Sequence, residues 1–118
     1  MTFSLQDKEQ ILQRLDEVGM HFIEAGNPAS NPKDAELYER LRTWRPKHAR
    51  LVAFGSTHRV GVRAHEDAGL NVLAGVGCEC AAIFGKSWDF HVTDVLRTTL
   101  QDNLNMIFDS VQFLVRAG

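Results

Sequence analysis

Five residues of this 118-residue chain stand where side chains could do chemistry: Glu24, Asn31, Ser56, Lys86 and His91. Glu24 is the penultimate residue of the short run Met20 to Ala25, which ends in Gly26-Asn27-Pro28, so its carboxylate falls near a strand end. There it could act as an acid or base, or pair with a Lys or Arg at the sheet rim. Two further apolar runs end in Gly55-Ser56-Thr57 and Gly85-Lys86-Ser87, and His91 follows Asp89 just beyond the second. Asn31 sits in the loop 26–34. These loop positions are candidates for substrate binding, Lys86 toward an anionic group. Gly85-Lys86-Ser87 is not a nucleotide phosphate loop, because that motif requires glycine at position 80, which is Cys80. No metal site is expected: no two of the five histidines are two residues apart, and Cys78 and Cys80 read as small buried hydrophobes. His21, His48, His58 and His65 are expected to be solvated.

Composition narrows the partners. Thirteen basic against fifteen acidic side chains, a net charge of −2, argue against a dedicated polyanion binder. A local basic excess runs from Arg40 to Arg63 with Trp44 among it, but Trp44 fits an apolar helix stripe and the charges fall on helix surface and loops, so nucleic-acid binding is not expected. The longest apolar run, residues 80–84, is far short of the roughly 20 residues that span a bilayer. The N-terminus lacks the apolar core of a secretory signal. A cytoplasmic α/β domain is the expectation.

The elements that must position the five residues follow from caps and periodicity. Ser4 with Asp7 three residues on opens a helix over 4–18, with Ile11, Leu12, Leu15 and Val18 as its apolar stripe and Gly19 as its stop. A strand over 20–25 comes next. Asn31 as N-cap and Pro32 at the first helical position start a helix over 32–44 that buries Leu37, Leu41 and Trp44. Strand 49–54, a weaker helix 66–74 and strand 78–84 continue the alternation. A last helix over 94–117 carries Leu100, Leu104, Ile107, Val111 and Leu114 on one stripe. The strands begin 29 residues apart, the length of a βαβ crossover, so the sheet should be parallel and its ligand end should be the C-terminal one. Three parallel strands make a poor sheet without neighbours, and the chain reads as a segment of something larger.

The stretch Ile23-Glu24-Ala25-Gly26-Asn27-Pro28-Ala29-Ser30-Asn31-Pro32-Lys33-Asp34 resembles the 2-isopropylmalate/homocitrate/citramalate synthase family, relatives of 3-hydroxy-3-methylglutaryl-CoA lyase. Lys47 to Thr57, Ile83 to Thr93 and the tail from Leu96 to Val111 are similar to its citramalate synthase branch. The resemblance implies an α/β fold in which parallel βαβ units form part of a TIM (β/α)8 barrel: the first helix, then strands two to four with their helices. It implies a parent acyltransferase of branched-chain amino-acid biosynthesis that condenses acetyl-CoA with pyruvate, using a divalent metal such as Mg or Mn. Glu24 aligns with the family's second-strand active-site glutamate. The family's D-T-L-R-D-G-type motif and His-x-His metal pair are absent from these 118 residues. The chain alone is therefore expected to hold no cofactor and to be inactive.

Two alternatives stand beside that expectation. One is a small α/β module that binds CoA or a keto acid without turnover; the other is one part of a split enzyme. The exposed sheet edges imply self-association into a homo-oligomer, or pairing with the remaining barrel segments.

Overall fold

In the computed structural model, which describes residues 2–118, strands and helices alternate along the chain. β1 (Phe22–Gly26), β2 (Arg50–Ser56) and β3 (Cys80–Phe84) form one parallel sheet in the order β1-β2-β3. α1 (Leu5–Val18) precedes β1, α2 (Pro32–Leu41) and α3 (Ala68–Gly75) make the two crossovers, and α4 (Leu100–Ala117) follows β3. Parallel crossovers turn with one hand, so a sheet whose order follows the chain keeps its crossover helices on one face.

Local chemistry sets the helix ends. The Ser4 hydroxyl accepts from the Asp7 N–H while the Asp7 carboxylate accepts from the Ser4 N–H, a reciprocal cap on α1. Gly19 ends that helix at φ 93°, a left-handed conformation that suits glycine. Asp67 caps α3 through the Leu70 N–H.

Four expectations differ from the structure. β1 and β3 begin two residues later than 20 and 78, and β2 runs on to Ser56. α2 stops at Leu41, so Trp44 lies in the turn beyond it and packs half-buried against the core. α3 starts at Ala68 behind a 3-10 turn over Ala64–Glu66. The last helix is broken: a π turn over His91–Val95 is separated from α4 by Arg97 at φ 57°. The Thr93 hydroxyl, within the π turn, donates to the Asp89 carbonyl and the Asp94 carboxylate. Thr99 caps α4, accepting from the Asp102 N–H.

The core lies on the helix side of the sheet, in two clusters. Leu12, Ile23, Leu37, Leu41 and Ala49 form one; Tyr38, Ala53, Leu70 and Leu73 form the other. α4 does not bury the stripe its sequence offers. It docks through Asn103, Met106 and Ser110, while Leu100, Leu104 and Val111 face outward. The polar members make the difference: Asn103 Nδ2 donates to the Lys86 carbonyl at 2.8 Å, and Ser110 Oγ accepts from the His58 N–H at 3.0 Å. α1 likewise leaves Ile11 and Val18 exposed.

Among the described residues, no helix belongs to the opposite face of the sheet. Side chains alternate across a strand, and Ile23, Ala53 and Ile83 belong to the helix-side clusters. Phe22, Glu24, Val52, Phe54, Ser56, Ala82 and Phe84 therefore point the other way. Phe22 is 61% exposed and Phe84 52%.

Candidate functional site

Glu24 stands on this uncovered face, opposite Val52 of β2, which is in turn opposite Cys80 of β3. It is exposed and forms no ion pair among the described residues, so it is not the paired rim carboxylate that its position also allowed. Directly after it the register shifts: Glu24 pairs with Val52 but Gly26 with Ala53, which makes Ala25 the extra residue of a bulge.

Helix α2 holds that bulge. The Tyr38 hydroxyl lies 2.7 Å from the Val52 carbonyl and 3.0 Å from the Gly26 carbonyl, bridging β1 and β2 where their ladder is interrupted. Burial pushes the Tyr38 phenol well above its ordinary range, with Cys78 nearby adding to the effect, so it remains a donor at any physiological pH. The buried Asp34 carboxylate accepts from the Asn27 N–H at 3.0 Å and from Lys8 of α1. The segment that follows Glu24 is thus tied to two helices.

The other candidates lie at the C-terminal end of the sheet, on the loops that follow the strands. Asn31 spends its side-chain oxygen on the Lys33 N–H as the cap of α2. Ser56 ends β2, opposite Phe84. Lys86 reaches back so that its Nζ sits 4.9 Å from the Phe84 ring centroid. His91 packs edge-on against Trp88, with ring centroids 4.7 Å apart. Parallel topology brings Ser56 and Lys86 to neighbouring strand ends. Glu24 is set deeper, at the level of Val52, four residues below Ser56 or about 13 Å at 3.3 Å per residue. The other four lie at the C-terminal end and Glu24 lies below them, so the five do not close on one point.

Among the described residues no three His, Cys, Asp or Glu side chains converge on a common centre. A divalent ion needs several hard oxygen or nitrogen donors together, so the donor set of this chain does not fit one. Cys78 precedes β3 and packs half-buried toward α3, and burial, with Cys80 nearby, pushes its thiol up to about 11. It stays protonated and unreactive at neutral pH.

Three buried polar groups hold the chain on either side of β2 through backbone contacts that no short-range pattern signals. Asp16 accepts from the N–H groups of Lys47, His48 and Ala49 at 2.8, 2.9 and 2.8 Å, across 31 to 33 residues of chain. Asp67 accepts from the Arg59 N–H as well as capping α3. His58, expected to be solvated, is 7% exposed, because its N–H is bound by Ser110 of α4.

Compared with known proteins, the chain aligns over nearly its whole length with (R)-citramalate synthases. The (R)-citramalate synthase of Aquifex aeolicus (strain VF5) is 46% identical over 116 residues, 98% of this chain. That of Sulfolobus acidocaldarius is 43% identical over 118 residues, all of it. This chain is a homologue of one segment of (R)-citramalate synthase. The Geobacter sulfurreducens (R)-citramalate synthase is 42% identical over 114 residues. The chain spans only 22–23% of the length of these citramalate synthases. No protein-family model matches it. Among the described residues, no helix is long and apolar enough to cross a membrane.

Proposed function

We propose that this chain is a three-strand section of a (β/α)8 barrel built to condense acetyl-CoA with pyruvate in the cytoplasm, and that by itself it does not catalyse the reaction. The observation that carries the reading is the sheet face without helices. Strand order follows the chain, the core clusters lie on one side only, and the other side presents Glu24 between Phe22 and Val52. That is how one arc of a barrel is arranged, with its inward residues facing neighbours across the lumen. Identity of 41–46% with (R)-citramalate synthases over the whole chain supports the choice of reaction.

On this reading Glu24 is an active-site carboxylate, held at its depth by the bulge that Tyr38 and Asp34 brace. Asn31, Ser56, Lys86 and His91 form part of the rim through which substrate enters. The catalytic arginine and the donors for the divalent metal belong to other segments of such a barrel. The chain alone buries its open edges by self-association.

Two assays test the reading. Purified protein given acetyl-CoA, pyruvate and Mg²⁺ or Mn²⁺ should release no thiol above a heat-killed control. Metal-dependent release that disappears in Glu24→Gln would show that the chain is a complete catalyst. In the second assay, these residues replace the matching segment of the Aquifex aeolicus enzyme. The chimera should turn over pyruvate and lose that activity on Glu24→Gln; a folded but inactive chimera would sink the assignment.

A further inference from the structure

At the bulge between Glu24 and Gly26 the β1–β2 ladder loses its regular rungs, because Gly26 rather than Ala25 stands opposite Ala53. Backbone groups left there without a strand partner must find another, since α2 covers this side of the sheet. Helix α2 supplies both a donor and an acceptor. Asp34 and Tyr38 are four residues apart, so they stand on one helix face, and they are only 7% and 2% exposed. The Asp34 carboxylate accepts from the Asn27 N–H at 3.0 Å. The Tyr38 hydroxyl donates toward the Val52 carbonyl at 2.7 Å and the Gly26 carbonyl at 3.0 Å.

The two side chains fix different things. Asp34 ties the loop after Gly26, and Lys8 shares its carboxylate. Tyr38 ties both strands at once, and one of its two carbonyls belongs to Val52, the residue directly opposite Glu24. A phenol has a single proton, so one donor serves both carbonyls. Phenylalanine would keep the ring beside Ala53 and Leu70 but would lack that donor. Glu24 is exposed and forms no ion pair among the described residues, so the path of β1 beneath it sets where its carboxylate stands.

We propose that Tyr38 is the positioning residue for Glu24: its hydroxyl supplies the donor the bulge would otherwise lack, and so fixes the bend of β1 and the place of the Glu24 carboxylate on the open face. The proposal rests on Glu24 acting at the reacting centre, as argued above. It adds a residue on the helix side of the sheet, out of reach of anything bound on the open face. A reacting group misplaced by about 1 Å costs on the order of 100-fold in rate. Substrate contacts on the rim are untouched by the change, so the loss falls on kcat and not on KM.

Two measurements decide it. In the 118-residue chain, hydrogen exchange read by mass spectrometry should show residues 23–27 exchanging about tenfold faster in Tyr38→Phe, with residues 80–84 exchanging as before. In the chimera with the Aquifex aeolicus enzyme, Tyr38→Phe should lower kcat about tenfold or more and leave the KM for pyruvate within about twofold. Asp16→Asn controls for lost stability, because Asp16 grips residues 47–49 before β2, at the opposite end of the sheet. It should leave kcat within about twofold of the parent chimera. Unchanged exchange at 23–27, an unchanged kcat in Tyr38→Phe, or an equal fall in Asp16→Asn would each overturn the proposal. Failure of the Glu24 reading has a different signature: Glu24→Gln would leave the chimera active, and the proposal would fall with that reading.

Discussion

At Gly26 the backbone has φ 153°, and a Cβ there would lie 2.5 Å from Asp34 Oδ2. Asp34 cannot withdraw without releasing the Asn27 N–H and Lys8. Gly26→Ala should therefore lower stability by about 2–3 kcal/mol, read as a reduced denaturant midpoint with an unchanged slope. Tyr38→Phe removes the hydroxyl that bridges the Val52 and Gly26 carbonyls and should cost about 1–3 kcal/mol in the same measurement. Asp16 tests the balance of burial against hydrogen bonding. Burial alone would raise its pKa, but the three N–H donors from Lys47, His48 and Ala49 together prevail and hold it below 3.8. A group depressed in the folded state contributes its stability above the unfolded pKa and loses it as pH falls through the folded one. Asp16→Asn should thus be destabilising at pH 7, and the gap between the two proteins should narrow on acidification below about pH 4. A gap that stays constant with pH would show that the carboxylate's charge does not matter there.

Among the elements, α4 shows most clearly where local rules stop. Its apolar stripe at helical spacing is real, yet Leu104 and Val111 are 59% and 45% exposed while Asn103 and Ser110 are buried. Periodicity reports that a helix has an apolar face, not which partner covers it. The break before α4 was hidden for a related reason: Thr93-Asp94 and Thr99 with Asp102 are both capping signals, and in the structure it is Thr99 that accepts from the Asp102 N–H, beyond the turn at Arg97. Arg97 at that break holds φ 57°. A non-glycine residue there costs about 1–2 kcal/mol, part of which a glycine would return as unfolded-state entropy. Arg97→Gly should accordingly raise stability by about 0.5–1 kcal/mol in thermal or chemical unfolding.

The molecule as a whole is an open slab, 44 × 34 × 24 Å, with a radius of gyration of 15.6 Å against about 13.5 Å for a compact chain of this length. Its accessible surface is 7950 Å², where a compact monomer of 13.3 kDa exposes about 6,450 Å². The excess is larger than the roughly 800 Å² per partner that a stable interface buries. It comes from the bare sheet face with Phe22 and Phe84, and from the outward stripes of α1 and α4. Self-association is the expected consequence for the isolated chain. Sedimentation velocity should show mass above 13.3 kDa that grows with concentration, and Leu104→Glu with Phe108→Glu should shift it toward monomer. A monomer across the whole concentration range would count against it.

From residues alone, the alternation of strands and helices, the parallel sheet and the resemblance to citramalate synthase were legible. Each depends on short-range caps, turn residues and crossover length, or on motifs contiguous in the chain, such as the run from Ile23 to Asp34. The burial of His58, the three-donor grip on Asp16 and the outward turn of the α4 stripe were not. Their partners lie 31 to 52 residues away, and no local pattern encodes which distant group will satisfy a buried polar atom. Tertiary structure alone decided that, because which distant group meets a buried polar atom is fixed only when the elements pack, and an atom left unpaired there costs about 1–3 kcal/mol.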